Sequence, residues 1–192
     1  MVRYEKGHKD ETRQRILDVA ARQFRERGVS AAGLAGIMTE AGLTNGAFYV
    51  HFESKEDLIR TVLDDALARR EQTWRKLENE EGGLAMMIGD YLSPRHRDDP
   101  GGGCPTAAMV AEVAREPAAT RSTFTGRVAA IVARIAAKLK GSSAPQRESD
   151  ALAIYALMVG TLQLARAVND IRLSDRILQS GAAAARKLAG ER

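Results

Sequence analysis

The chain has 192 residues, of which 44% are hydrophobic and 5% aromatic, with five prolines and one cysteine. These values exclude a disordered chain and a disulfide framework and favour an all-α globular protein, and the length allows either one large domain or a small domain fused to a larger one. Residues 1–30 carry eight Lys or Arg and five Asp or Glu, a balance of +3, whereas residues 53–100 carry eight and twelve, a balance of −4. A basic end beside an acidic middle suggests an anionic partner at the N-terminal end, although solvated helix faces would carry the same charges.

The apolar runs are too short to span a bilayer, and the N-terminal segment lacks the apolar core and cleavage site of a secretion signal. A single cysteine is compatible with a reducing compartment. We therefore expect a cytoplasmic protein without a membrane partner.

Three helices are predicted in the first fifty-odd residues. The first runs from about Lys9 to Arg27, and Gly28 ends it as a left-handed C-terminal glycine does. A short apolar helix fits residues 34–41 and is closed by Gly42, and another short segment fits residues 44–52. The apolar residues of the first helix recur at three- and four-residue spacing: Ile16, Leu17, Ala20, Ala21 and Phe24.

A longer helical region follows. Ser54 has the spacing of a capping box and opens a long helix that is expected to end near Asn79, before the break at residues 81–83. A shorter helix reaches about Ser93 and is followed by a loop rich in Pro and Gly. Later helices are predicted over residues 105–115, 118–140, 146–169 and 175–188. The predicted organisation is an N-terminal three-helix head over residues 1–53 and a larger C-terminal bundle over residues 54–192.

The two short helices of the head have the size and glycine placement of a helix-turn-helix. Gly42 supplies the sharp turn, and a second helix of two turns is stable only when it packs on the first helix. Packed in this way, it presents its outer face to a major groove of DNA.

The predicted DNA-binding face follows from the residue types on that second helix. Asn45 is suited to an adenine edge and Ala47 to a thymine methyl group, and small Gly46 lets the helix approach the bases closely. Tyr49 and His51 are candidates for phosphate contacts. Lys55 lies in the first turn of the next helix, where free backbone amides also favour a phosphate.

Residues 42–58, Gly-Leu-Thr-Asn-Gly-Ala-Phe-Tyr-Val-His-Phe-Glu-Ser-Lys-Glu-Asp-Leu, closely resemble the recognition-helix signature of TetR-family repressors, and residues 12–28 resemble that family's first helix. The resemblance implies a homodimeric repressor that a small effector releases from a palindromic double-stranded operator. The resemblance also implies which residues face DNA and which are buried. Those expected to face DNA are Thr44, Asn45, Tyr49, His51 and Lys55, and those expected to pack inside the head are Phe48 and Phe52.

Two positions depart from the family pattern. Ala32 and Gly33 stand where the family often has a threonine that caps the second helix, and Met38 replaces a smaller residue. The departures put a phosphate contact near Gly33 in doubt without affecting the predicted fold.

The C-terminal half carries a candidate effector pocket, because helical bundles keep ligand sites between their helices. Its candidate lining is apolar and aromatic, and ordinary core packing is the competing interpretation of each residue. The candidates are Met86, Met87, Tyr91, Met109, Val113, Phe124, Tyr155 and Met158.

The last two helices are the predicted dimer contact, as the resemblance implies through a four-helix bundle of two copies. Ala156 and Gly160 allow close approach of helices. One predicted stripe consists of Ala151, Leu152, Tyr155, Val159, Leu162 and Ala165. The other consists of Ile177, Leu178, Ala182, Ala185 and Leu188.

Cys104 lies in Gly-Gly-Gly-Cys-Pro, directly before a predicted helix that begins at Pro105. A helix N-terminus near Arg95, His96 and Arg97 favours a thiolate, so that Cys104 is a candidate sensor of oxidants or electrophiles. The alternative is a small buried residue that never reacts.

An enzyme is the main rival from another class. The three histidines, His8, His51 and His96, lack metal-ligand spacing, and no nucleophile, phosphate-loop or dinucleotide motif occurs. We therefore expect neither a metal nor a cofactor and no catalysis. A DNA-binding protein without any effector is the second alternative, and a ligand-dependent shift in melting temperature distinguishes it from an effector-responsive repressor.

Overall fold

A computed structural model describes residues 3–77, 82–141 and 143–191, and within these ranges the regular secondary structure is entirely helical. This confirms the all-α prediction. The helices are α1 (Arg3–Arg27), α2 (Leu34–Glu40), α3 (Asn45–Phe48), α4 (Lys55–Leu77), α5 (Gly83–Tyr91), α6 (Pro94–Asp98), α7 (Pro105–Val113), α8 (Ala118–Lys138), α9 (Ala144–Ala167) and α10 (Ile171–Leu188).

Most predicted helices are present, and the differences lie at their ends. Helix α1 begins at Arg3 rather than Lys9, and α3 ends at Phe48. The predicted end of the fourth helix near Asn79 lies outside the described residues. Helix α6 occupies part of the predicted loop, because Ser93 caps it by accepting a hydrogen bond from the backbone N–H of His96.

The N-terminal helices share a hydrophobic core, here called the head core. Phe24, Ile37 and Phe48 are fully buried in it, and the first turns of α4 contribute Leu58 and Leu63. Helix α7 also reaches this core, through Met109 and Val113. The domain boundary at residue 53 stays a prediction. Helix α4, which follows it, contributes side chains to the head core and also to a second core.

A second core, here called the body core, joins the later half of α4 to α5 and to α7–α10. Its largest fully buried side chains include Trp74 and Tyr91. Helices α9 and α10 lie closely together because Gly181 has no side chain where it meets Thr161. The body core is therefore built from segments far apart in the sequence.

The predicted dimer stripe on α9 was largely wrong. Ala151, Tyr155, Val159, Leu162 and Ala165 are all buried within their own chain, as part of the body core. On α10, Leu178 and Ala185 are buried in the same way. The spacing of apolar residues identified the face of each helix that packs inside its own chain. A dimer contact would produce the same spacing, so the sequence pattern could not distinguish the two.

Leu152 and Leu188 are exposed members of the predicted stripes, at 51% and 41% of their surface. Ile177 and Ala182 are partly buried against the body core. Ala156 and Gly160 face solvent on the opposite side of α9.

Candidate functional site

Helix α3 is held in place by aromatic packing beneath it. Phe48 is fully buried and stacks on buried Phe52, with ring centroids 5.5 Å apart. Thr44 precedes the helix in extended backbone (φ −79°, ψ 154°). The burial of Phe48 and Phe52 agrees with the orientation that the sequence resemblance implies.

The predicted DNA-binding residues differ in exposure. Thr44, Asn45 and Gly46 are exposed, and Tyr49 exposes 70% of its surface. The partly buried members are Ala47, His51 and Lys55. Sequence reasoning missed one residue of this surface, Val50, which exposes 59% and lies next to Tyr49. The available signal was an apolar residue between Tyr49 and His51, outside the packed pair Phe48 and Phe52.

A groove of ≈ 550 Å³ separates α3 from the start of α1. His8, Lys9 and Thr12 line one side, and Ala47 and Val50 line the other. Lys9 therefore places a cation beside the exposed face of α3, where a phosphate would be attracted.

His51, one of the predicted phosphate contacts, is only partly exposed. Its Nδ1 is buried without a hydrogen-bond partner among the described residues. Burial lowers the pKa of His51, and the nearby cations Lys9 and Arg13 lower it further. The imidazole is thus neutral near pH 7, and it offers a phosphate a hydrogen bond rather than a charge.

Lys55 has a structural partner inside the head. Its Nζ donates a hydrogen bond of 3.0 Å to the carbonyl oxygen of Val29, at the turn between α1 and α2. An ammonium group has three N–H donors, so this bond leaves donors for a phosphate. The phosphate contact of Lys55 stays a prediction.

The two departures from the family pattern have visible consequences. Gly33 occupies the N-cap of α2 and supplies no side-chain hydrogen bond to it. Met38 is fully buried in the head core, where its larger side chain fills space.

The side chains of Glu112 and Arg25 connect the head to the body through hydrogen bonds. The Glu112 carboxylate of α7 accepts hydrogen bonds of 2.9 Å from the backbone N–H groups of Val29 and Ser30. Arg25 of α1 donates through Nε to the carbonyl oxygen of Gly101, at 2.5 Å. Helix α7 and the loop before it are therefore in direct contact with α1 and the turn that follows it.

The predicted effector-pocket residues do not form one pocket. Met109 and Val113 pack in the head core, whereas Met87, Tyr91, Tyr155 and Met158 pack in the body core. Met86 is 50% exposed, and Phe124 is partly buried between the two cores. Spacing along a helix identified buried positions, but the assignment to one shared cavity was wrong because these positions face two different cores.

Among the described residues, cavities of ligand size lie elsewhere. One of them, here called the joint pocket, has a volume of ≈ 540 Å³ and lies between α1, α4 and the loop of Gly101–Gly103. Another is an apolar groove of ≈ 640 Å³ between α8 and α9. Of the predicted effector-pocket residues, Phe124 lines this groove. The joint pocket is lined by Asp18, Val19, Ala21, Arg22, Arg25, Asp65, Ala66, Arg69, Arg70, Thr73, Gly101, Gly102, Gly103 and Pro105.

Cys104 is the N-cap residue of α7, with Pro105 at the first helical position as predicted. Its side chain is only 1% exposed, and its backbone N–H donates to Nε2 of His96 at 2.9 Å. Arg95 pairs with Asp90, and Arg97 pairs with Asp98 and Asp175. Two of the three basic neighbours in sequence are thus engaged with carboxylates, and the sensor role stays a prediction.

The described residues contain no cluster of side chains with the composition of a metal site. Within the same ranges, every helix is too short or too polar to cross a membrane.

Comparison with known proteins supports the assignment of the head. Residues 16–62 match the family described as "Bacterial regulatory proteins, tetR family". The chain is 48% identical over 98 residues to the HTH-type transcriptional regulator AcrR of Shigella flexneri, covering 48% of this chain and 40% of that protein. It is 35% identical over 95 residues to the HTH-type transcriptional repressor BepR of Brucella suis biovar 1, covering 50% and 41%. The matched regions thus span about two fifths of the length of these two curated relatives.

The fold extends beyond the matched region. The crystal structure of the reduced form of E. coli NemR aligns with a TM-score of 0.76 at 22% identity, covering 92% of this chain and 96% of that one. This likeness concerns the fold and includes the C-terminal helices. Residues 16–62 therefore carry the N-terminal region of the tetR family of bacterial regulatory proteins, and the chain shares its fold with NemR.

Proposed function

We propose that this protein is a homodimeric, ligand-responsive repressor of transcription that binds a palindromic DNA operator through α3. The observation that carries the proposal is the exposed face of α3, formed by Thr44, Asn45, Gly46 and Tyr49 above the buried Phe48. Its amide and hydroxyl groups suit base edges and phosphates, and its glycine allows close approach to the groove.

The outward faces of α9 and α10 support a two-fold dimer. Small and apolar residues recur there at three- and four-residue spacing, and they face away from the body core. On α9 the exposed residues are Ala153, Ala156, Gly160, Leu164 and Ala167, and on α10 they are Leu173, Ser180, Ala184 and Leu188. Small side chains let helices approach closely, and a closed dimer presents two copies of α3 to successive major grooves, about 34–36 Å apart.

Helix α4 and the contacts of Glu112 and Arg25 support the coupling of ligand to DNA. Helix α4 contributes Leu58 to the head core and Trp74 to the body core. An effector that binds between head and body better in one arrangement shifts the dimer towards it, and so alters the spacing of the two α3 helices.

The test is selection of operator DNA by the purified protein from fragmented genomic DNA, followed by fluorescence anisotropy at several salt concentrations. Asn45→Ala is expected to lose about 1–3 kcal/mol of discrimination at one base position in each half-site. Lys55→Ala is expected to weaken binding to all sequences alike and to flatten the salt slope by about one unit for each phosphate that the lysine neutralises.

Lys140→Ala is the matched control, because Lys140 is exposed at the end of α8 and belongs to the body. Its affinity and salt slope should equal those of the wild type. A protein that selects no DNA sequence above background would contradict the proposed function. Normal affinity and salt slope in Lys55→Ala would remove Lys55 from the interface.

The sensor role of Cys104 is tested with the same DNA. Under that hypothesis, a mild alkylating reagent releases the wild-type protein from DNA, and Cys104→Ser binds DNA but does not respond. Release of both proteins, or of neither, would assign Cys104 a packing role.

A further inference from the structure

Arg70 lines the joint pocket, and two of its guanidinium nitrogens have no hydrogen-bond partner among the described residues. These nitrogens, Nε and Nη2, are buried. The guanidinium carbon lies 5.6 Å from the ring centroid of Trp74 and 5.5 Å from that of Tyr91. Aromatic faces attract a cation, but they do not replace the hydrogen bonds that buried N–H groups require.

The carboxylates of the joint pocket are already occupied. Asp18 and Asp65 both pair with Arg69, each at 2.9 Å. Of the remaining arginines, Arg22 pairs with Glu40, and Arg25 donates to the carbonyl of Gly101. Among the described residues, Arg70 is therefore the pocket arginine whose buried nitrogens lack an acceptor.

The described side chains behind Arg70 add no anion that would neutralise it. Tyr91 is fully buried, and its hydroxyl also lacks a hydrogen-bond partner. The Tyr155 hydroxyl donates to Thr106, and burial raises the pKa of both tyrosines, so that they stay neutral. Buried guanidinium nitrogens without an acceptor cost stability, which is the arrangement expected of a site awaiting a charged ligand.

We propose that the joint pocket binds an oxyanion, the carboxylate or phosphate group of a small effector, through the Arg70 guanidinium. An oxyanion is the ligand that best satisfies a planar guanidinium, because two oxygens accept parallel N–H bonds. The pocket volume of ≈ 540 Å³ accommodates a small organic acid. An occupant also touches α1 of the head and α4 of the body, so the site suits a ligand that changes their relative position.

This inference rests on the proposed function only in naming the ligand an effector, and its test uses no DNA. Thermal unfolding and calorimetry of the full chain are followed with sodium benzoate and with inorganic phosphate, against sodium chloride at equal ionic strength. Saturable stabilisation by benzoate identifies an organic acid as the source of the oxyanion, and stabilisation by phosphate identifies a phosphate. Either result supports the proposal, and no saturable binding of either probe overturns it.

Arg70→Met supplies the decisive comparison. The variant is expected to bind the probe at least tenfold more weakly than the wild type. Without the probe its melting temperature should be higher by about 2–4 °C, because the unpaired charge is gone while the apolar stem remains. An arginine with a purely structural role gives the opposite result, so lower stability or failure to fold in this variant overturns the proposal.

Arg75→Met is the matched control, further along α4, where Arg75 is exposed and pairs with Glu71. It should bind the probe with wild-type affinity. Equal weakening in both variants would mean that the probe responds to overall charge, and would also overturn the proposal. A protein that binds the probe but selects no operator would contradict the proposed repressor and leave the oxyanion site standing.

Discussion

The head and the body bury comparable hydrophobic clusters, but they leave different groups without partners. The head core is built mainly from one continuous stretch, from Ile16 to Leu63, around fully buried Phe24 and Phe48. The body core draws on segments from Leu67 to Ala185 and contains Tyr91 and the neighbouring Arg70 with unpaired buried polar atoms. The head leaves Nδ1 of His51 unpaired beside the exposed face of α3, whereas the body leaves polar groups of Arg70 and Tyr91 unpaired where a small ligand could satisfy them.

The largest expected effect tests the inward face of the body. Leu162 of α9 is fully buried, so Leu162→Arg places an unpaired charge in the body core. We expect the variant to lose more than about 4 kcal/mol of stability, enough to unfold the body, rather than to yield a folded monomer. Circular dichroism and urea unfolding measure the loss. A folded monomer of near wild-type stability would instead place Leu162 at the dimer contact.

The outward face of the same helix is tested by Gly160→Arg, two residues away. Among the described residues, no atom outside the local helix backbone lies within 4 Å of a Cβ built at Gly160, so the chain itself tolerates the change. We expect a folded monomer by sedimentation and a loss of operator affinity of about a hundredfold or more, because linked half-sites no longer bind together. An intact dimer would remove this face of α9 from the interface.

These two variants also show how far sequence reasoning reaches. The head could be predicted closely, because Gly42, Phe48 and Phe52 have local roles that short-range spacing reveals. In the body the same method found buried residues such as Leu162, but it could not tell an internal contact from a dimer contact. It also placed Met109 in an effector pocket, although α7 turns that side chain into the head core.

The polar groups of the body were beyond sequence reasoning for a different reason. Arg70 lies in a run of charged residues that is usual for a solvated helix face. Whether a guanidinium has an acceptor depends on which side chains from other helices surround it, and that is decided by tertiary packing. Likewise, Cys104 was correctly placed before α7, but its 1% exposure could not be read from the local motif.

The third prediction concerns pH and separates the body from the head. Burial lowers the pKa of His96 from 6.5 to about 4, with Arg70 and Arg166 lowering it further and the hydrogen bond to the Tyr91 carbonyl opposing the shift. The folded state therefore favours neutral His96 and binds fewer protons than the unfolded state does. The resulting stability is complete above about pH 6.5 and is lost as the pH falls towards 4.

The loss over that range is expected to be at most about 3 kcal/mol, since one pKa unit corresponds to about 1.4 kcal/mol. Urea unfolding between pH 7 and pH 4 measures it. His96→Gln should flatten the dependence, because glutamine can accept the bond from Cys104 and does not titrate. A variant with the wild-type slope would assign the pH dependence to other groups.

The smallest expected effect concerns the connection between the two regions. Burial alone would raise the pKa of Glu112, but the backbone N–H groups of Ser30 and Val29 bind its charged form and lower the pKa overall. Glu112→Gln keeps the shape and removes the charge, so its two hydrogen bonds weaken. At pH 7 we expect the variant to lose about 1 kcal/mol of stability and to exchange the Val29 and Ser30 amide hydrogens about fivefold faster.

A carboxylate with a lowered pKa stabilises the fold above its unfolded pKa, and this stabilisation is lost as the pH falls. The difference in stability between Glu112→Gln and the wild type should therefore shrink at acidic pH. Glu116→Gln, just after α7, is the control and should leave both amides unchanged. Unchanged exchange in Glu112→Gln would mean that the head keeps its position without this carboxylate, and that Arg25 and the shared helix α4 carry the connection.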